Sequence, residues 1–161
     1  MAELQGSPRA PREARVAVLV SRYNELVTSR LLEGAWECLR GKGVPEARVD
    51  VIWVPGAFEL PVAAEAAAAS GRYAALVALG CVVRGETPHF EYVAGEATRG
   101  LGNVALAHRL PVGFGLLTTD SLDQALARAG GAAGNKGYEA AEAALTTADV
   151  LAQLIRAAPR D

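Results

Sequence analysis

Apolar and polar positions fall into a block pattern that recurs four times along this chain. Each block is a short apolar run, a polar turn, and a stretch with apolar residues at helical spacing. The apolar runs are Val16 to Val20, Val49 to Val54, Leu76 to Val83 and Val112 to Thr118. They are continuous rather than alternating, and too short for a bilayer, which predicts strands buried on both faces. After the first run, Ser21 to Asn24 turn the chain, with Asn24 as an N-cap candidate. Leu32, Ala35, Trp36 and Leu39 then keep helical spacing until Gly41 and Gly43. After the second, Pro55-Gly56 leads into a helix opening in Ala57 to Pro61, where the proline fits only the first turn. It runs through an alanine-rich stretch to Ser70-Gly71. After the third, Arg84 to Pro88 form a turn before a helix from about Phe90 to His108, striped by Val93, Ala97, Leu101 and Val104. Gly95, Gly100 and Gly102 weaken that stripe. After the fourth, Thr119-Asp120-Ser121 caps a short helix to about Ala129, Gly130 to Gly137 interrupts, and a long helix runs from Tyr138 to about Ala157.

Strands alternating with crossovers of this length predict an α/β fold. The expected architecture is a three-layer α/β/α sandwich with a four-stranded parallel sheet, flavodoxin-like. Residues 1–14, with Gly6, Pro8 and Pro11 among charged residues, read as a flexible N-terminal arm, and residues 15–161 as a single domain. A hydrophobic fraction of 51% supports a well-buried core, and 21% charged residues argue against disorder. Net charge −2 and a pI near 5.7 leave no basic footprint for nucleic acid. No run of about 18 apolar residues spans a membrane, and Met1 to Arg15 lack a secretory h-region, so a cytoplasmic protein is expected. Cys38 and Cys81 sit in apolar segments without metal-ligand spacing, as buried thiols in a reducing compartment do. There is no Walker A loop, G-x-G-x-x-G, HExxH or CxxC, so neither a nucleotide nor a metal has motif support.

Candidate chemistry collects where the strands end, the usual ligand side of an open parallel sheet. Residues 84–89 are the strongest case. A Gly-containing turn before a helix start offers unpaired N–H groups and the positive dipole end to an anion. His89, one of two histidines, adjoins that turn and is able to move protons near neutral pH. A cap or a solvated loop histidine is the plain alternative. Tyr23 offers a face for stacking a heteroaromatic ring, or is a surface or core tyrosine. Asn24 offers donors and an acceptor, or caps the helix. Glu59 suits the hydroxyls of a diol, or favours a helix first turn. Arg84 holds a phosphate or pairs with Glu86. Arg128 is a phosphate fork or part of a solvated face. Gly134 to Gly137 is a hinge or a lysine-bearing loop. His108, near a helix end, complements the dipole.

Arg22-Tyr23-Asn24, Val54-Pro55-Gly56-Ala57-Phe58-Glu59, Arg84-Gly85-Glu86-Thr87-Pro88-His89-Phe90 and Ala133-Gly134-Asn135-Lys136-Gly137 together resemble the lumazine synthase (6,7-dimethyl-8-ribityllumazine synthase) family over about residues 15–157. The resemblance implies condensation of 5-amino-6-(D-ribitylamino)uracil with 3,4-dihydroxy-2-butanone 4-phosphate, releasing orthophosphate and water, with no cofactor and no metal. It implies that Tyr23 stacks on the pyrimidine, and that Asn24, Ala57 and Glu59 orient the ribityl chain. Val82 and Val83 would meet the ring edge through backbone groups. Gly85, Glu86 and Thr87 match the phosphate-binding turn, completed by Arg128 from a neighbouring subunit. His89 matches the proton-transfer residue, Phe114 an apolar wall from that neighbour, and Lys136 lies close to the site. The implied assembly is a homo-oligomer, a pentamer that in shell-forming members builds a sixty-subunit icosahedral shell, with riboflavin synthase as a partner for the product. Ala132 stands where some members carry a basic residue, and Pro8 and Pro11 weaken the N-terminal strand that some add to a neighbour's sheet.

That chemistry asks mostly for orientation of two substrates, with proton transfer adding less. Two rival readings share the scaffold. One is an archaeal-type riboflavin synthase, which would lack phosphate affinity. The other is a non-catalytic shell or flavin-binding protein, which would show no turnover.

Overall fold

The four continuous apolar runs become one sheet because helices cover both of its faces. The computed structural model describes residues 1, 3–11, 13 and 15–157; residues 2, 12, 14 and 158–161, parts of the expected arm and domain, lie outside the described residues. Strands β1 (Arg15–Ser21), β2 (Val49–Val54), β3 (Tyr73–Val83) and β4 (Val112–Thr119) are parallel, in the order β2-β1-β3-β4. Helices α1 (Glu25–Gly41) and α5 (Lys136–Ala157) pack on one face over Val16, Val18, Val20, Val77 and Leu79. Helices α2 (Leu60–Ala69) and α3 (His89–His108) cover the other over Ala17, Leu19, Leu76 and Ala78. This is the expected three-layer flavodoxin-like sandwich. Successive residues of β1 and β3 serve opposite cores, so no polar position interrupts either run. Each fully buried Val or Leu contributes about 1.5–3 kcal/mol.

Chain reversal occurs between β1 and β3. From β1 the chain moves outward to β2, whereas from β3 it moves the other way to β4. A crevice therefore opens at the C-terminal ends of these two central strands. At the β4 edge, α5 lies unusually close: a Cβ on Gly113 would fall 2.2 Å from the Ala140 carbonyl oxygen. Helix α3 stays regular through its three glycines, because burial of Ala94, Ala97, Leu101 and Val104 outweighs their propensity cost of about 1 kcal/mol each.

Some boundaries differ from expectation. Strand β3 starts three residues early, at Tyr73, whose hydroxyl is held by Asp50 at 2.8 Å. Helix α4 (Leu122–Ala127) ends before Ala129, which opens a small antiparallel hairpin of β5 (Ala129–Gly131) and β6 (Gly134–Asn135). The glycine-rich segment is thus an ordered hairpin, with Gly130 and Gly134 at φ +95° and +78°, a region L side chains avoid. Helix α5 starts at Lys136 rather than Tyr138. In the N-terminal arm, Ser7 N–H donates to Asp149 of α5 at 2.9 Å and the Gln5 carbonyl accepts from Gln153 at 2.7 Å. No described helix is long and apolar enough to cross a membrane.

Candidate active site

Polar residues converge at the C-terminal ends of the four strands, and the backbone ties the exits together. Beyond β1 and β2, the N–H of Arg22 donates to the Val54 carbonyl at 2.8 Å and that of Tyr23 to Pro55 at 3.0 Å. The Tyr23 side chain is left 73% exposed. Asn24 occupies the N-cap position of α1 in the left-handed region, φ 60°, where asparagine is among the few tolerant residues. The expected side-chain cap is absent. Instead Asn24 Nδ2 donates to the Cys81 carbonyl at 2.9 Å, strapping the β1 exit to β3 across the crevice. The left-handed backbone turns the amide away from the helix it precedes. Below this strap the Ser21 hydroxyl is fully buried and has no partner among the described residues.

At the β2 exit, Ala57–Glu59 form one 3₁₀ turn before α2, with Ala57 buried and Phe58 59% exposed. Pro61 sits in the first helical turn, as expected. The Glu59 carboxylate folds back on Gly56: a Cβ there would lie 3.1 Å from Oε2. At the β3 exit, Val82 and Val83 are half-buried, while residues 84–89 are exposed. Among the described residues, the N–H groups of Gly85, Glu86 and Thr87 meet no backbone acceptor, and α3 has no side-chain cap. Pro88, at its N-cap, has no N–H to offer. An exposed row of donors at the positive end of a 20-residue helix is a receptive place for an anion. His89 opens α3, exposed and without a hydrogen-bond partner among the described residues.

Arg84 does not pair with Glu86, its expected protein partner. Its guanidinium reaches Asp120 at 2.9 Å and Glu91, and lies over the Phe90 ring at 4.2 Å. The hydrogen bond to Glu91, then that to Asp120, raises the Arg84 pKa, and Arg84 lowers that of Glu91. With Arg84 N–H bonded to the Thr119 carbonyl, this set joins the β3 and β4 exits. Ser121 does cap α4, in a reciprocal pair with Gln124, so that expectation holds. His108 ends α3 but also pairs with Glu65 of α2 at 2.8 Å. Both cysteines are buried, and burial pushes each thiol up to about 11.

Tyr23, Asn24, Ala57, Glu59, Val82, Val83, residues 85–87 and His89 thus share the strand-exit end of the chain. Three expected residues make no hydrogen bond to this group. Phe114 lies in β4 opposite Ala78, four residues before the Val82–Thr118 pair, about 13 Å down the strand. It is 49% exposed on the edge strand. The Arg128 guanidinium donates to the Gln124 carbonyl of its own helix at 2.9 Å. Lys136 pairs with Glu139 at 2.7 Å. None of the three hydrogen-bonds to Tyr23, Glu59 or residues 85–89. Sequence reasoning missed the cation–π seat of Arg22, 4.8 Å above Trp53, and the structural part played by Asn135. For Asn135 a signal existed: asparagine directly before a helix is a capping pattern.

The model of the 6,7-dimethyl-8-ribityllumazine synthase family matches residues 13–152. A relative of that name from Gemmatimonas aurantiaca is 55% identical over 150 residues, covering 93% of this chain and 91% of its own. Another of the same name, from Edwardsiella ictaluri, is 53% identical over 152 residues, covering 94% of this chain and 97% of its own.

Proposed function

We infer the activity from one premise: the chain belongs to the 6,7-dimethyl-8-ribityllumazine synthase family. It is a transferase of riboflavin biosynthesis that condenses 5-amino-6-(D-ribitylamino)uracil with 3,4-dihydroxy-2-butanone 4-phosphate to 6,7-dimethyl-8-ribityllumazine. An amine must meet a ketone, water and phosphate must leave, and a ring must close. Most of that asks for two substrates held in register, with proton transfer as a smaller aid.

The residue roles extend this reading. Tyr23 stacks on the pyrimidine, Val82 and Val83 meet its edge through backbone groups, and Asn24, Ala57 and Glu59 orient the ribityl chain, with Glu59 accepting from hydroxyls. Gly85, Glu86 and Thr87 receive the phosphate, and His89 moves protons between the substrates. The carrying observation is the unpaired state of the β3 exit: among the described residues, three N–H groups lack a protein acceptor beside a histidine without a partner. The space around Gly85 supports the same reading, because a Cβ there would meet nothing within 4 Å. Nothing inside the subunit requires glycine at that position, whereas close approach of a phosphate to its backbone does.

Arg128, Phe114 and Lys136 serve a neighbouring subunit's site, a reading supported by the place of Phe114 about 13 Å down β4 from its own exit and by the engagement of Arg128 with Gln124 and of Lys136 with Glu139 rather than with residues 85–89. Head-to-tail repetition of that contact closes a ring, here a pentamer. The tight β5–β6 hairpin, without inserted residues, favours twelve rings closing into an icosahedral shell. Residues 15–161 act as one cytoplasmic catalytic domain behind a short arm, passing product to riboflavin synthase. The test is direct. Purified protein mixed with both substrates should develop lumazine fluorescence and release orthophosphate in step. Fluorescence failing to appear with both substrates present would overturn the activity.

A further inference from the structure

Asn135 stands at the junction of the hairpin and α5, and its side chain is engaged on three sides. Oδ1 accepts from the N–H of Gly137 at 2.8 Å and of Tyr138 at 3.3 Å, capping α5. Nδ2 donates to the Arg30 carbonyl of α1 at 2.9 Å, across 105 residues of chain. Two glycines make room. A Cβ on Gly34 would fall 2.2 Å from the Asn135 amide, and one on Gly137 1.9 Å from the Leu31 carbonyl oxygen. A one-turn stretch of α1, Arg30 to Gly34, therefore receives the start of α5 in backbone-to-backbone contact.

The clamp continues toward Arg128. The N–H of Lys136 donates to the Arg128 carbonyl at 2.8 Å, and that of Ala133 to Ala127 at 2.9 Å. Arg128 is the C-cap directly after a six-residue helix, too short to hold its own end in place. Its backbone position is instead set through Lys136, by the register that Asn135 imposes on α1.

We propose that Asn135 is a positioning residue for the phosphate half of the reaction: with Gly34 it sets where Arg128 is presented. The proposal rests on the assignment of Arg128 to phosphate given above. It gives the Asn135–Lys136–Gly137 segment a use besides the lysine charge, and it explains why glycine occupies position 34 in the middle of α1.

Three variants separate the parts. Asn135→Ala removes both the cap and the clasp. Asn135→Asp keeps the capping oxygen but sets an oxygen against the Arg30 carbonyl. Gly34→Ala leaves every polar group in place and pushes the clamp apart sterically. For each, the KM of either substrate and competition by inorganic phosphate are measured, in wild-type and Arg128→Ala backgrounds, with melting temperature followed alongside. The expected result is a roughly three- to ten-fold weaker grip on phosphate and butanone phosphate, the size of one or two lost hydrogen bonds. The KM of the pyrimidine should stay within about two-fold, and the penalty should vanish when Arg128 is already alanine, because the residues act in series. A general loosening would weaken both substrates alike and add to the Arg128 loss; that result overturns the proposal, as does unchanged phosphate competition in Asn135→Asp and Gly34→Ala. If Arg128→Ala itself leaves phosphate competition intact, the phosphate assignment of Arg128 falls and this inference with it. A normal Arg128 effect without an Asn135 effect removes the inference alone.

Discussion

The two ends of the sheet treat their polar groups in opposite ways. At the end where the strands begin, Asp50 of β2 accepts from Arg15 at 2.9 Å, Arg72 at 3.1 Å and the Tyr73 hydroxyl at 2.8 Å, and Arg15 also donates to the Ala47 carbonyl at 2.9 Å. The carboxyl is held down to about 2, first by the Arg15 hydrogen bond. Where the strands finish, Tyr23 is exposed, and among the described residues His89 has no partner and the N–H groups of 85–87 meet no protein acceptor. Arg84 is paired there, but its partners Glu91 and Asp120 serve to join two exits. The satisfied cluster holds the starts of β2, β1 and β3 in register. At the other end the free donors of residues 85–87 are exposed and open to solvent.

The largest effect is expected at the unsatisfied end. His89→Ala should cut turnover by between about ten- and ten-thousand-fold with folding intact, as loss of a general acid–base group does. Steady-state rates with a circular-dichroism melt decide it, and wild-type turnover in the variant removes His89 from the mechanism. Next comes Arg128→Ala, which should weaken competition by inorganic phosphate roughly ten- to hundred-fold, the size of a charge-assisted bond. Mixed with His89→Ala subunits under exchange, it should restore activity at about a quarter of sites if neighbours share them. Absence of recovery in a mixture shown to have exchanged would assign each site to a single subunit.

Glu59→Gln should raise the KM of the ribityl substrate by about ten-fold and leave that of the butanone phosphate unchanged, since one charged acceptor is lost. Equal changes for both substrates would contradict its role on the ribityl chain. The smallest effect belongs to the satisfied end. Asp50→Asn should leave turnover unchanged and cost about 1 kcal/mol of stability or less, because the network is partly exposed and screened. The sign follows from the lowered pKa. A carboxyl at about 2 in the folded chain, against an ordinary 3.8, stabilises above roughly pH 4, and that contribution is lost as pH falls toward 2. Melts of wild type and variant should therefore converge between pH 4 and 2; a gap that persists there would show that Asp50 acts through packing instead.

The four strands, their order along the chain, the helices between them and the capping Ser121 were legible in residue pattern, because burial on both faces demands uninterrupted apolar runs. The clustering of Tyr23, Glu59 and His89 was legible too, since each follows a strand and parallel strands share one exit end. Other features depend on which residues meet across long sequence separations. Asn24 read as a cap by position, yet its amide was claimed by Cys81, 57 residues away. Arg84 read as a phosphate ligand or a partner of Glu86, and its protein partners are Asp120 and Glu91. A hairpin lay hidden in the glycine-rich segment because two short strands carry no periodicity, and only packing against α1 gives them a register. By itself, then, the sequence determined the layers, the end of the sheet where the strands exit and the residues gathered there, all through local pattern and burial. Tertiary structure alone decided the partner of each polar side chain, because hydrogen bonds are short-ranged and satisfied by whatever the fold brings within about 3 Å.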